Sequence, residues 1–68
     1  MKTYHLEGEY IELAKLLKLM KLAVTGGHAK IMIENGEILR NGKHETRKRA
    51  KIQRGDQLLV NDIQITIT

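Results

Sequence analysis

The stretch Thr25-Gly26-Gly27-His28-Ala29-Lys30-Ile31-Met32-Ile33-Glu34-Asn35-Gly36-Glu37-Ile38-Leu39-Arg40-Asn41-Gly42 changes its hydrophobic period halfway along. Before Gly36, the apolar residues Ala29, Met32 and Ile33 recur at helical spacing, and Thr25 stands where its side-chain oxygen can accept from first-turn amides. Gly36, following Asn35, suits the left-handed stop of that helix. Beyond it, Glu37-Ile38-Leu39-Arg40 reads as a short strand and Asn41-Gly42 as a two-residue hairpin turn. A helix that hands over directly to a hairpin points to an α+β fold. Ile31 falls off the apolar stripe and has no partner in this pattern.

Working outward, Leu13, Leu16, Leu17 and Met20 recur at i, i+3, i+4 and i+7, one face of a first helix over Glu12–Met20 with Glu12, Lys15 and Lys18 opposite. Downstream, Lys43-His44-Glu45-Thr46 returns from the hairpin turn, and the residues to Lys51 form a loop or irregular strand. Arg54-Gly55-Asp56 makes a turn into the strand Gln57–Val60, and Asn61-Asp62 turns again into Ile63-Gln64-Ile65-Thr66-Ile67, whose alternation marks a half-buried strand. Thr3-Tyr4-His5-Leu6 is expected to be a further strand that closes the sheet against the C-terminus. The whole reads as two helices packed on a small, mostly antiparallel β-sheet.

A chain of 68 residues makes one domain with a marginal core. Lacking Phe and Trp, that core must come from Leu, Ile, Val and Met. The absence of cysteine excludes disulfides and thiolate zinc sites, and no apolar run approaches membrane-helix length. With no secretory-type apolar stretch at Met1–Glu7, a cytoplasmic location is expected. His5, His28 and His44 lack metal-ligand spacing, serine is absent, and no phosphate-loop or dinucleotide fingerprint occurs. A binding module is expected, with no cofactor and no catalytic residue.

Charge gives that module its surface. From Arg40 to Arg54 run Arg40, Lys43, Arg47, Lys48, Arg49, Lys51 and Arg54 against the single acid Glu45, a formal charge of +6 within a net +4. The rest of the chain sets five lysines against seven acids. Such a footprint suits a polyanion, above all a nucleic acid. Gly42, Ala50 and Ile52 interrupt the run, so it belongs to a folded surface and not to a disordered tail.

The pattern Leu13…Leu16-Leu17…Thr25-Gly26-Gly27-His28-Ala29-Lys30…Ile33…Gly36-Glu37-Ile38-Leu39-Arg40-Asn41-Gly42…Arg54-Gly55-Asp56-Gln57-Leu58 resembles the ribosomal-protein-S-four-type RNA-binding domain, the alpha-L motif. The similarity covers about residues 10–60 of a single unit spanning 1–68. Thr25–Lys30 and Glu45–Arg49 look especially like its stand-alone bacterial, YbcJ-like branch. The resemblance implies a two-helix and hairpin platform that binds structured RNA, ribosomal RNA foremost, with a role in ribosome assembly or ribosome-associated quality control. It also implies that Arg40 and Asn41 lie where the family approaches RNA.

The residues expected to meet RNA are Arg47, Lys48, Arg49 and Lys51, flanked by Lys43 and Arg54. Thr25, Gly26, Gly27 and His28 form a second candidate, since a helix N-terminus has unpaired amides and glycines admit a phosphate; Lys30 adds a charge there. The alternative is that the glycines only permit a tight turn. Lys18, with Lys15 and Lys21, could extend the positive surface or simply be solvated. Tyr4 and Tyr10 are the only aromatic residues and lie outside the basic run, which favours shape-reading of folded RNA over stacking of splayed bases. A monomer with an RNA partner is expected. The rival from another class is an adaptor whose basic face docks an acidic protein.

Overall fold

A computed structural model describes residues 1–68. In chain order the elements are β1 (Lys2–Tyr4), β2 (Ile11–Glu12), α1 (Leu13–Leu19), α2 (Gly26–Glu34), β3 (Ile38–Arg40), β4 (Lys43–His44), β5 (Lys51–Ile52), β6 (Gln57–Val60) and β7 (Ile63–Ile67). Five strands form one sheet in the order β1-β7-β6-β3-β4, and β2 pairs with β5 in a separate two-stranded ribbon. Only β1, parallel to β7, departs from antiparallel pairing.

Local chemistry accounts for each element of the helix-to-hairpin stretch. Thr25 caps α2, its Oγ1 accepting from the His28 amide at 3.0 Å. At the other end the Gly36 amide donates to the Ile33 carbonyl and the Glu37 amide to the Met32 carbonyl, both at 3.1 Å. These two bonds, with Gly36 at φ +75°, are the paired bonds of a Schellman stop. Asn41 and Gly42 both take positive φ, as the tight β3–β4 turn requires. The same stop closes α1 without a glycine. Lys21 sits at φ 60° while its amide and that of Leu22 reach the Lys18 and Leu17 carbonyls.

The expected strand over Thr3–Leu6 is displaced to Lys2–Tyr4, because Leu6 turns its side chain into the core and its amide bonds the Thr68 carbonyl. The return strand ends at His44, two residues before Thr46. The β2–β5 ribbon does not appear in the sequence reading at all.

Sixteen buried apolar residues form one cluster between the helices and one face of the sheet. Ile38, Leu58, Val60, Ile65 and Ile67 supply the sheet side, and Leu13, Leu16, Leu17, Ala29, Met32 and Ile33 the helical side. Alternation leaves Gln57, Leu59, Gln64 and Thr66 on the opposite face. Leu13, Leu16 and Leu17 are fully buried, and truncating one such side chain to Ala costs about 2–5 kcal/mol. Ile31 is exposed, in keeping with its position off the stripe. No helix is long and apolar enough to cross a membrane.

Candidate nucleic-acid interface

The strand after the hairpin turn ends where its one acid turns inward. The Glu45 amide still donates to the Ile38 carbonyl at 3.1 Å, but its carboxylate is nearly buried between two arginines. Arg47 donates through Nε and Nη2 at 3.1 and 3.3 Å, and Arg40 through Nη1 at 3.4 Å. The other edge of the Arg40 guanidinium clamps Asp56 Oδ2 at 3.2 and 2.8 Å, and its Nη2 also donates to the Lys51 carbonyl at 2.7 Å. Asp56 further accepts from the Gln53 amide at 2.8 Å and from Asn41 Nδ2 at 3.0 Å. Asn41 Oδ1 in turn accepts from the Gln57 amide at 2.9 Å. This polar chain ties the hairpin turn to the Gln53–Asp56 turn across the sheet.

The electrostatics follow the geometry. The Arg47 side chain holds Glu45 below the ordinary carboxylate value against the opposing effect of burial, with the Arg47 amide and Arg40 adding to it. Burial would push Asp56 upward, but the Gln53 amide, Asn41 and Arg40 together outweigh it and hold the carboxyl below its ordinary value. Both acids are therefore anions held in place by cations from the basic run.

The loop from Thr46 to Ala50 is held through its backbone. Glu12, the residue before α1, makes no side-chain cap. Instead the first-turn amides of Leu13 and Ala14 donate to the carbonyls of Ala50 and Lys48, each at 3.0 Å. A helix start leaves its first amides unpaired, and here the basic loop satisfies two of them. Ala50 and Ile52 are buried beneath it. The Ala50 amide closes a turn on the Arg47 carbonyl at 3.1 Å, which puts Lys48 and Arg49 at its exposed corner.

These constraints sort the expected contacts. Arg40, Arg47, Arg49 and Lys51 converge with Ala50 around one open cleft of about 400 Å³. Within the run, Lys43, Lys48, Arg49, Lys51 and Arg54 form no ion pair, and Arg47 keeps 73 % of its side chain exposed despite its bond to Glu45. Arg40 and Asn41 are engaged inside the fold, and Arg54 Nη2 donates to the Leu6 carbonyl at 2.8 Å. Lys43 lies opposite Arg40 at the hairpin end, exposed.

Thr25–Lys30 stands apart from that cleft, at the start of α2. His28 belongs to the cap, its Nδ1 accepting from the Val24 amide at 3.1 Å. The Lys18 stem reaches over Gly26, where a Cβ would lie 3.8 Å from Lys18 Cδ, an ordinary contact. Gly27 is equally roomy, and neither glycine takes a left-handed φ, so the tight-turn explanation finds no steric support at either position. Lys30 is exposed. The seven-residue α1 separates the basic loop from the Lys18 end by roughly 10 Å along its axis.

Three residues absent from the expected site shape it. Glu45 and Asp56 position the arginines; the isolation of Glu45 among cations was the available signal for the first. Tyr10 is the third. The β2–β5 register sets Glu12 opposite Lys51 and Ile11 opposite Ile52. Burial of both isoleucines turns Tyr10 and Lys51 to the outer side, with Lys51 Nζ 5.0 Å from the ring centroid. An aromatic ring thus lies beside the basic cleft, although no aromatic occurs in the basic run itself.

Two short helices followed by a tight hairpin, on a mostly antiparallel sheet, make this an alpha-L scaffold. The chain belongs to the S4 domain family, which matches residues 4–68. It is 43% identical over 56 residues to YbcJ of Escherichia coli (strain K12), covering 81% of this chain and 80% of that protein. The YbcJ protein of Shigella flexneri matches to the same extent. The solution structure of Escherichia coli YbcJ, described as revealing an alpha-L motif involved in RNA binding, superposes with a TM-score of 0.73 at 34% identity. That match covers 97% of this chain and 85% of the other.

Proposed function

We propose that the chain is an RNA-binding module of a single domain that holds structured RNA against the face built from Arg47, Lys48, Arg49 and Lys51, with Lys43 at its border. The observation that carries this reading is the exposed turn at Lys48 and Arg49. Its backbone caps a helix while its cations stay free of carboxylates. A backbone held by the fold presents these cations together and un-neutralised, which is what a phosphate backbone meets most readily. Arg40, Asn41 and Asp56 keep the cleft in shape, and Thr25–Lys30 with Lys18 offers a second contact at the exposed start of α2. Ribosomal RNA is the proposed target, met by a cytoplasmic monomer during ribosome assembly or ribosome-associated quality control. This last step rests on family resemblance alone.

The test is a salt titration of binding to a structured ribosomal RNA hairpin, with duplex DNA and single-stranded RNA as competitors. Replacing Arg47, Lys48, Arg49 and Lys51 by Ala should weaken binding and flatten the logarithmic salt slope by about 0.7–0.9 per lost phosphate contact, about three units in all. An unchanged slope in a folded variant would move the RNA surface elsewhere. Capture of acidic proteins that survives ribonuclease would favour the adaptor reading.

A further inference from the structure

Tyr10 is 43% exposed, one of the few large hydrophobic residues left at the surface. Its visible neighbour is the Lys51 ammonium, 5.0 Å from the centroid, and Lys51 also lines the basic cleft with Arg40, Arg47 and Arg49. The same lysine therefore belongs to two surfaces, a cationic pocket and an aromatic platform.

From this juxtaposition we propose that Tyr10 and Lys51 form a subsite for one unpaired nucleotide of the RNA, the base stacking on the Tyr10 ring while Lys51 turns to the adjoining phosphate. The inference rests on the RNA-binding reading above and adds to it the feature of the RNA that is recognised. Lys51 makes no ion pair and lies over the ring, so a phosphate in the cleft offers its ammonium a full counter-charge instead. Its departure bares a flat apolar surface beside the newly held phosphate. Glu12 is in register opposite Lys51, which adds an acid to the same ribbon without an ion pair to the lysine. That negative charge disfavours a second phosphate on the ribbon and leaves the base as the group that settles on the ring. Paired bases within a duplex present no free face to such a platform, whereas an unpaired nucleotide at a bulge or helix junction does. The expected ligand is thus a helix interrupted by at least one unpaired nucleotide.

The protein contains two tyrosines and no tryptophan, so tyrosine emission reports directly on stacking. The experiment uses the Tyr4→Phe variant, in which Tyr10 is the sole emitter. It is titrated with an RNA hairpin carrying one bulged adenosine, the same hairpin fully paired, and the bulged hairpin made of DNA. The bulged RNA should bind at least about fivefold more tightly than the paired RNA and quench the emission, as expected for one stacked base. Tyr10→Leu should abolish that preference, and Tyr10→Phe should retain it. Binding of bulged and paired RNA with equal affinity and unchanged emission would overturn the subsite while leaving the RNA-binding reading intact. Equal affinity for the bulged DNA would overturn RNA as the source of the base, and failure to bind either RNA hairpin would overturn both proposals. Because the emission is read with Tyr10 in place, the test survives a Tyr10→Leu variant that does not fold.

Discussion

Arg40 shows how a residue can sit in a basic run and still serve the fold. Its guanidinium is shared between Glu45, Asp56 and the Lys51 carbonyl, with about a fifth of the side chain exposed. Removing it would leave two nearly buried carboxylates without their shared cation, a loss of about 2–3 kcal/mol at neutral pH. Arg40→Met should therefore lower the urea midpoint markedly. The pH dependence separates this loss from mere side-chain packing. Glu45 and Asp56 have folded pKa values below their ordinary 4.5 and 3.8, so the stability they contribute is complete above the unfolded values and is lost as pH falls through the folded ones. Wild type should hold a plateau above about pH 5 and lose stability below it, and the gap to Arg40→Met should narrow as the pH falls below the ordinary carboxylate values. A gap that stays constant over that range would assign the loss to packing alone.

At the level of elements, what was legible in the sequence was what neighbouring residues decide among themselves. The Thr25 cap, the Gly36 stop, the Asn41-Gly42 turn and the alternation of Ile63–Ile67 are all local, and each is found in place. The β2–β5 ribbon was not legible, because two residues carry no period and their pairing spans about forty residues of chain. With the ribbon hidden, the placement of Tyr10 beside Lys51 was hidden too. The inward turn of Glu45 is likewise shared between Arg47 and Arg40, the second of which β3 brings to it across the hairpin. Lys21 illustrates a local signal that is simply missing, since the end of α1 adopts the left-handed stop without the glycine that would announce it. A non-glycine residue there is strained by about 1–2 kcal/mol, part of which glycine gives back through its freer unfolded chain. Lys21→Gly should stabilise the protein by about 0.5–1 kcal/mol, read as a higher urea midpoint with an unchanged m-value. A lower midpoint would mean that the Lys21 side chain contributes more than its backbone costs.

For the molecule as a whole, the sheet and the basic loop should differ in how readily they open. β6 lies in the middle of the sheet, bonded on both sides by β3 and β7, and the termini are tied by the Leu6 amide to the Thr68 carbonyl at 3.0 Å. The basic loop has no such ladder and depends on Ala50, Ile52 and the two amides of α1. Openings with few buried contacts are the low-energy ones, so the loop should undock without unfolding the sheet. The amides of Leu13 and Ala14 are its reporters, because each bonds a loop carbonyl. Without ligand they should exchange faster than the amides of β6. RNA held by the loop should suppress undocking, and at a free concentration of 100 times Kd it should slow exchange at Leu13 and Ala14 by about a hundredfold. The measurement is native-state hydrogen exchange by NMR with and without the hairpin. It discriminates because backbone, not side chain, links loop to helix. Slowing confined to these two amides places the bound RNA on the loop, whereas protection appearing first at the start of α2 would place it at Thr25–Lys30.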